Sequence, residues 1–354
     1  MVIRAFITHK QAELFSDCQD RFGVNPDTKS IVVSDGMGST WQQKIWAQLL
    51  VDTYTDSTDW YPSNETIKPL CQTWRDKVAD FIQNLKETNA PENMIYRNER
   101  NFAEGRSAGA TIVGIRFNGN NWYGTVLGDS CLIEWNGLEA KFYTSQEGDS
   151  FDSYPDYFDS DASKEGRGFP KAIKGELTSN NILFLVSDPF SEFLLEHSKE
   201  GDISVYVKQL IALSSHEEFE KLVSEWREEG MHIDDTTLII VEHDNSELFS
   251  IDYADNIDEM IEKEKKSQLS IDEAAEKELA SQEAPSLERN ITENFVVAQN
   301  NEKLFLNEFM TEYQRCLQKK FPKQMGKLKF KWTQKAAEEA LQILFERYSV
   351  SKKR

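Results

Sequence analysis

The chain has 354 residues, enough for one large domain with an extension, and its 40 Lys and Arg against 61 Asp and Glu leave a net charge of −21. So acidic a chain argues against general nucleic-acid binding, which needs cations to neutralise phosphate. No run approaches the roughly 18–20 apolar residues that span a bilayer, and the first residues lack a signal-peptide pattern. Cys18, Cys71, Cys131 and Cys316 are scattered without a CxxC pair, so neither a disulfide framework nor a zinc knuckle is expected, and a reducing cytoplasm is the expected setting.

Strand-like runs are expected over Val2–Thr8, Ser30–Ser34, 110–117, Asn121–Leu127, Cys131–Trp135, 182–187 and 237–242. Two amphipathic stretches, 40–53 and 64–87, fall between the first and third of these. Three more, 190–196, 205–214 and 217–229, fall between the last two. In the first pair, apolar residues recur at three and four: Trp46, Leu49, Leu50 and Tyr54, then Ile67, Leu70, Trp74, Val78, Phe81 and Leu85. Asn118-Gly119-Asn120-Asn121 and Asn136-Gly137 read as hairpin turns, which imply antiparallel pairing and disfavour a doubly wound parallel sheet. Hairpin-linked strands with helix pairs suggest a layered sandwich, sheets inside and helices outside. From Asp244 to about Asn300 the chain is highly charged and poor in aromatics, which reads as a solvated, partly helical linker. Residues 301–354 form a basic extension with amphipathic stretches at 301–317 and 333–348.

Four acidic motifs punctuate the apolar runs: SIVVSDGMGS, NWYGTVLGDS, NILFLVSDPF and HIDDTTLIIVE. Acids at strand tips can converge from distant sequence into a set of hard oxygen ligands. In order, the chain carries Cys18-Gln19-Asp20, Asp35-Gly36-Met37-Gly38, Gly109-Ala110-Thr111, Gly128-Asp129-Ser130, Ser187-Asp188-Pro189 and Asp234-Asp235-Thr236-Thr237. Over residues 1–243 this set resembles the PPM-type (protein phosphatase 2C-like) metal-dependent serine/threonine phosphatases, of the bacterial type to judge by Met37. The resemblance implies an α+β fold, a four-layer α-β-β-α sandwich in which an antiparallel β-sandwich is flanked by helix pairs, here followed by a helical C-terminal extension.

It also implies a centre for two Mg²⁺ or Mn²⁺ ions. Asp35 would bridge both, the Gly36 carbonyl would add a ligand, Asp188 and Asp234 would complete one ion, and Asp20 would hold the other. Asp129, with Glu192 in place of the family's usual second Asp, would form a third, weaker site. No protein nucleophile is implied, because a metal-activated water attacks a phosphoserine or phosphothreonine of a protein substrate. The alternative is a phosphatase-like module without turnover that serves as a regulatory scaffold.

Four positions depart from the family pattern. Phe15 stands where an Arg often grips the substrate phosphate, leaving Arg4, His9, Lys10 and Arg21 as candidates. Met37 stands where some members have His, Pro189 replaces a Gly, and Cys131 replaces an Arg. Outside the motifs, Asp235 reads as a structural neighbour, Thr111 and Thr237 as strand packing, and His232 as a loop residue. The acidic loop 148–169 reads as a substrate-facing flap that favours basic sequences. From Arg315 onward twelve basic residues face three acidic ones. A helical hairpin there would dock a partner protein, tethered by the acidic linker, with nucleic acid or an anionic membrane surface as the competing partner.

Overall fold

The computed structural model describes residues 1–146, 155–164, 166–201, 203–244 and 248–267. The chain divides into two units, Met1–Gln268, which is compact, and Leu269–Arg354. The basic extension, most of the expected linker and the first third of the flap lie outside the described residues. None of the described helices is long and apolar enough to cross a membrane.

The elements of the first unit are β1 (Val2–Thr8), β2 (Arg21–Asn25), β3 (Ser30–Ser34), α1 (Gln43–Asp56), α2 (Lys68–Glu87), α3 (Glu92–Ala103), β4 (Gly109–Ala110), β5 (Ile112–Asn118), β6 (Asn121–Leu127), β7 (Cys131–Trp135) and β8 (Ala140–Tyr143). After them come β9 (Phe158–Asp159), β10 (Lys171–Glu176), β11 (Ile182–Val186), α4 (Asp188–Glu200), α5 (Ile203–Ala212), α6 (His216–Glu229), β12 (Thr236–Glu242) and β13 (Ser250–Ala254). A last helix, α7, covers 257–267. One sheet runs β13-β1-β12-β11-β7-β8 and the other β10-β6-β5-β3-β2. Their pairings are antiparallel except that of β13 with β1.

Period-two side-chain alternation builds three cores and hence four layers. Leu183, Leu185, Ile239 and Val241 face Ile31, Val33, Val113 and Ile115 between the sheets. Their neighbours Phe184, Val186, Leu238 and Ile240 point the other way, against Phe190, Leu210, Phe219 and Trp226 of α4, α5 and α6. On the far side, Val32 and Ile112 pack with Trp46, Leu50, Tyr54, Trp74 and Val78 of α1 and α2. The fold is the expected α-β-β-α sandwich.

Two details differ from the expected elements. The strand over 110–117 breaks at Thr111, which leaves the ladder to exchange hydrogen bonds with Asp35. The second concerns residues 250–267, which are read from composition as linker but form β13 and α7 within the first unit. Asp255, just after β13, accepts hydrogen bonds from the Ile7 amide (2.8 Å) and sits 3.0 Å from His216 Nδ1. Glu220 lies 3.2 Å from the other ring nitrogen.

Burial pushes the His216 pKa down, but its bonds to Asp255 and Glu220 outweigh that and raise it to about 9. A raised imidazole pKa adds stability that is complete below the unfolded value of about 6.5 and is lost as pH rises through about 9. His216→Gln should therefore cost about 1–2 kcal/mol in urea unfolding at pH 6, a figure discounted for the half-buried site, and far less at pH 9.5. An equal cost at both pH values would show that the charge contributes nothing.

Candidate metal centre

Asp35 directly follows β3, and its turn is clamped by Thr111. The Asp35 amide donates to Thr111 Oγ1 at 3.1 Å, and the Thr111 amide donates to the Asp35 carbonyl at 2.9 Å. Thr111 Oγ1 also pairs with Ser130 Oγ at 2.6 Å, tying this turn to the one that carries Asp129. Gly36 is enclosed: a Cβ there would stand 3.1 Å from the Gln19 carbonyl and 3.0 Å from Gln43 Cγ. Only a bare backbone lets this turn approach the Asp20 loop so closely.

Asp20 is fully buried just before β2, with one oxygen accepting from Thr237 Oγ1 at 2.7 Å and Oδ1 without a hydrogen-bond partner. Asp129 follows β6, and its Oδ1 is likewise buried and unpartnered. Asp188 opens α4. Ser191 Oγ donates to the carbonyls of Asp129 (2.8 Å) and Asp188 (3.0 Å), stitching those two turns together. Glu192, one helical turn after Asp188, shares its face. Asp234 precedes β12 and is partly exposed. The Asp235 amide donates to its Oδ1 at 2.9 Å, and Lys10 Nζ lies 3.4 Å from both its oxygens.

The electrostatics show that these acids share one region. Burial first, then repulsion from Asp20, Asp188 and Asp129, pushes the Asp35 carboxyl well above the usual range. Asp188 is raised in the same way, by burial and by Asp129, Asp20, Asp234 and Glu192. Burial, with Asp235 adding, raises Asp20 to about 7, and burial, with Glu192 adding, raises Asp129 to about 7. Among the described residues no three acids meet in a finished ligand cage. What gathers is uncompensated negative charge with buried, donor-free oxygens. Oxygen-only donors of this kind fit Mg²⁺ or Mn²⁺ rather than a soft metal.

Several residues take parts that sequence reasoning assigned elsewhere. Thr111 and Thr237, expected as strand packing, hold the turn of Asp35 and the carboxylate of Asp20. Asp235, read from the sequence as a structural neighbour, accepts from the amides of Lys10 (2.8 Å) and Gln19 (2.6 Å), fixing both ends of the loop 9–20. Arg227 of α6 was not anticipated; its Nη2 donates to the carbonyls of Asp234 (2.7 Å) and His9 (3.2 Å). The departures also find physical accounts. Pro189 lies in the first turn of α4, where its missing N–H has no intrahelical acceptor to lose. Cys131 is buried in the core beneath α4, α5 and α6.

Phe15 is 5% exposed, with its ring against His9 and His216. Of the four candidate cations, Arg4 is bound by Glu242 and the carbonyls of Ile211 and Leu213. Arg21 is bound by the carbonyls of Cys18 and Asp20, and His9 faces Glu264 at 3.6 Å. Lys10 alone of the four reaches the carboxylate of a candidate metal acid, and its side chain keeps 38% of its surface exposed. The described part of the flap is anchored beside Asp35: β9 pairs with β4, and Trp46 Nε1 donates to the Phe158 carbonyl at 2.9 Å.

The sequence profile of the protein phosphatase 2C family matches residues 9–226, more than half of the chain. The match spans Asp20, Asp35, Asp129, Asp188 and Glu192 and stops short of Asp234. The chain belongs to that family, and by class it is a protein serine/threonine phosphatase. Similar solved structures include the serine/threonine phosphatase of S. agalactiae, at 16% identity over 68% of this chain and 99% of that one, with a TM-score of 0.42. Another is Stp1 from Staphylococcus aureus, at 14% identity over 69% and 95%, with a TM-score of 0.43. A third is the catalytic domain of PstP in complex with two manganese ions, at 16% identity over 67% and 96%, with a TM-score of 0.39. No curated protein sequence matches the chain.

Proposed function

We propose that this protein hydrolyses phosphoserine and phosphothreonine in proteins by means of water activated by divalent cations, opposing a protein kinase in bacterial signalling. The observation that carries this reading is the gathering of six acids, from the ends of five strands and the first helical turn after one of them, around buried oxygens that have no donor. Asp20, Asp35, Asp188, Asp234 and the Gly36 carbonyl would hold two ions, and Asp129 with Glu192 a third, weaker one. Bound there, Mg²⁺ or Mn²⁺ would supply Lewis acidity, lowering the pKa of water and offsetting charge on the phosphoryl oxygens. Thr237 orients Asp20, Thr111 fixes the turn of Asp35, and Arg227 holds the backbone of Asp234. Lys10, half-exposed beside Asp234, would receive the substrate phosphate.

The test is hydrolysis of p-nitrophenyl phosphate and of a phosphothreonine peptide by the full chain, with Mn²⁺, with Mg²⁺ and with excess chelator. Turnover that requires the metal supports the reading. Metal binding without turnover on either substrate sinks it and leaves the scaffold. The buried free thiols Cys18, Cys71 and Cys131 support a reducing, cytoplasmic setting, which cell fractionation would check. For residues 301–354 the docking role rests on their basic, amphipathic sequence. Truncation after Asn300 should leave aryl-phosphate turnover nearly unchanged and remove a captured partner protein. Loss of small-substrate turnover would instead make the extension part of the catalytic unit.

A further inference from the structure

The loop 9–20 joins β1 to β2 and carries Lys10 at one end and Asp20 at the other. Its ends are held from within the family-matched region or just past it, by Asp235, by Arg227 and by Arg21. Lys44 Nζ holds the Ser16 carbonyl at 2.9 Å. Beside that contact, the middle of the loop is also held from elsewhere. The Phe15 amide donates to Glu264 Oε2 at 2.9 Å, and Glu264 Oε1 lies 3.6 Å from His9 Nε2. The Phe15 ring then packs on His9 and on His216, which is itself fastened to Asp255. Glu264 and Asp255 both lie beyond residue 226, where the family match ends, in the stretch whose composition reads as linker.

We propose that Glu264 is a positioning residue for the active centre. By fixing Phe15 and His9 it sets the path of the loop and so aims Lys10 and Asp20 at the carboxylate cluster. The segment β13–α7 is then a working part of the catalytic unit, and it does through Phe15 a job that does not depend on an arginine at that position. The inference rests on the reading of Asp20 and Lys10 as metal- and phosphate-binding groups. It adds that their aim is controlled from α7, the last described element before the second unit of the chain.

Glu264→Ala and Glu264→Gln in the full-length protein test this, because Gln keeps an oxygen acceptor for the Phe15 amide. In Glu264→Ala the KM for p-nitrophenyl phosphate and the half-activating Mn²⁺ concentration should each rise about fivefold, the scale of one lost hydrogen bond, with kcat at saturating Mn²⁺ within about twofold. Glu264→Gln should recover most of both. In metal-free protein, exchange of the Phe15 amide should quicken about tenfold in Glu264→Ala and stay near wild type in Glu264→Gln. Quickened exchange with unchanged KM and Mn²⁺ dependence overturns the positioning role, and unchanged exchange overturns the contact itself. If the wild type proves to lack phosphatase turnover, Mn²⁺ calorimetry on the same variants decides the matter. Weaker binding in Glu264→Ala supports the inference even then, and equal binding defeats it.

Discussion

Asp35→Asn is expected to lower Mn²⁺-dependent turnover by about three orders of magnitude or more while the protein stays folded, since removing a bridging carboxylate leaves the ions poorly held and the water unactivated. The folded-state half of this expectation follows from the site itself. Asp35 sits among Asp20, Asp129 and Asp188, and burial and repulsion hold its carboxyl well above the usual range. At neutral pH an ionised Asp35 therefore opposes folding, and a neutral amide of the same shape relieves that repulsion. In the presence of chelator the variant should melt at or above the wild-type temperature, whereas with Mn²⁺ the order should reverse, because the ions stabilise the form that binds them. Turnover within tenfold of wild type at saturating Mn²⁺ would remove Asp35 from the bridging role.

Lys10→Met is expected to lower kcat/KM for p-nitrophenyl phosphate about 30-fold, chiefly through KM, which corresponds to the roughly 2 kcal/mol of a charge-assisted hydrogen bond. The metal should respond with the opposite sign. Lys10 Nζ lies 3.4 Å from both oxygens of Asp234, so in wild type its charge competes with a cation for that carboxylate. Without it, the half-activating Mn²⁺ concentration should fall or stay level. Lys10→Arg should restore most of the substrate affinity, because a guanidinium still presents charged donors to phosphate. An unchanged KM in Lys10→Met, measured with Mn²⁺ saturating, would assign the phosphate to another group.

Much of the sandwich was legible because inner and outer faces alternate strictly along β3, β11 and β12, and because α1, α2 and α6 carry broad apolar stripes. Four of the acids were legible for a related reason: Asp35, Asp129 and Asp188 stand just after an apolar run, and Asp234 just before one. What could not be read depends on contacts between distant segments. β13 (SIDYA) is half-exposed, and its place is set by parallel pairing with β1, a partner some 250 residues away that leaves no local signal. β10 is an edge strand in which half-buried positions such as Lys171 alternate with exposed ones such as Lys174, so it lacks the apolar run of a central strand. α3 has no buried residue and thus no core-facing stripe of the kind periodicity detects. Lys10 stood among four cations of equal standing until the partners of Arg4, His9 and Arg21 were known. The roles of Thr111 and Thr237 were hidden because a threonine in a strand looks the same whether its hydroxyl idles or holds a carboxylate.

β1 is the first strand of the chain, yet its neighbours on either side are β12 and β13, which pair with it from Val2↔Glu242 and Val2↔Ser250. During synthesis, at about 5–20 residues per second, the first strand would wait roughly 10–50 s before either ladder partner left the ribosome. Throughout that interval Ile3, Ala5, Phe6 and Ile7, all fully buried in the finished protein, lack their permanent cover. Closing so long a loop also raises contact order and slows the final step. The five-stranded sheet, whose strands all fall between residues 21 and 176, can assemble while the six-stranded one is still missing its centre. A nascent chain stalled before residue 236 should accordingly be the form most in need of a chaperone, and the one most readily cut within its first ten residues.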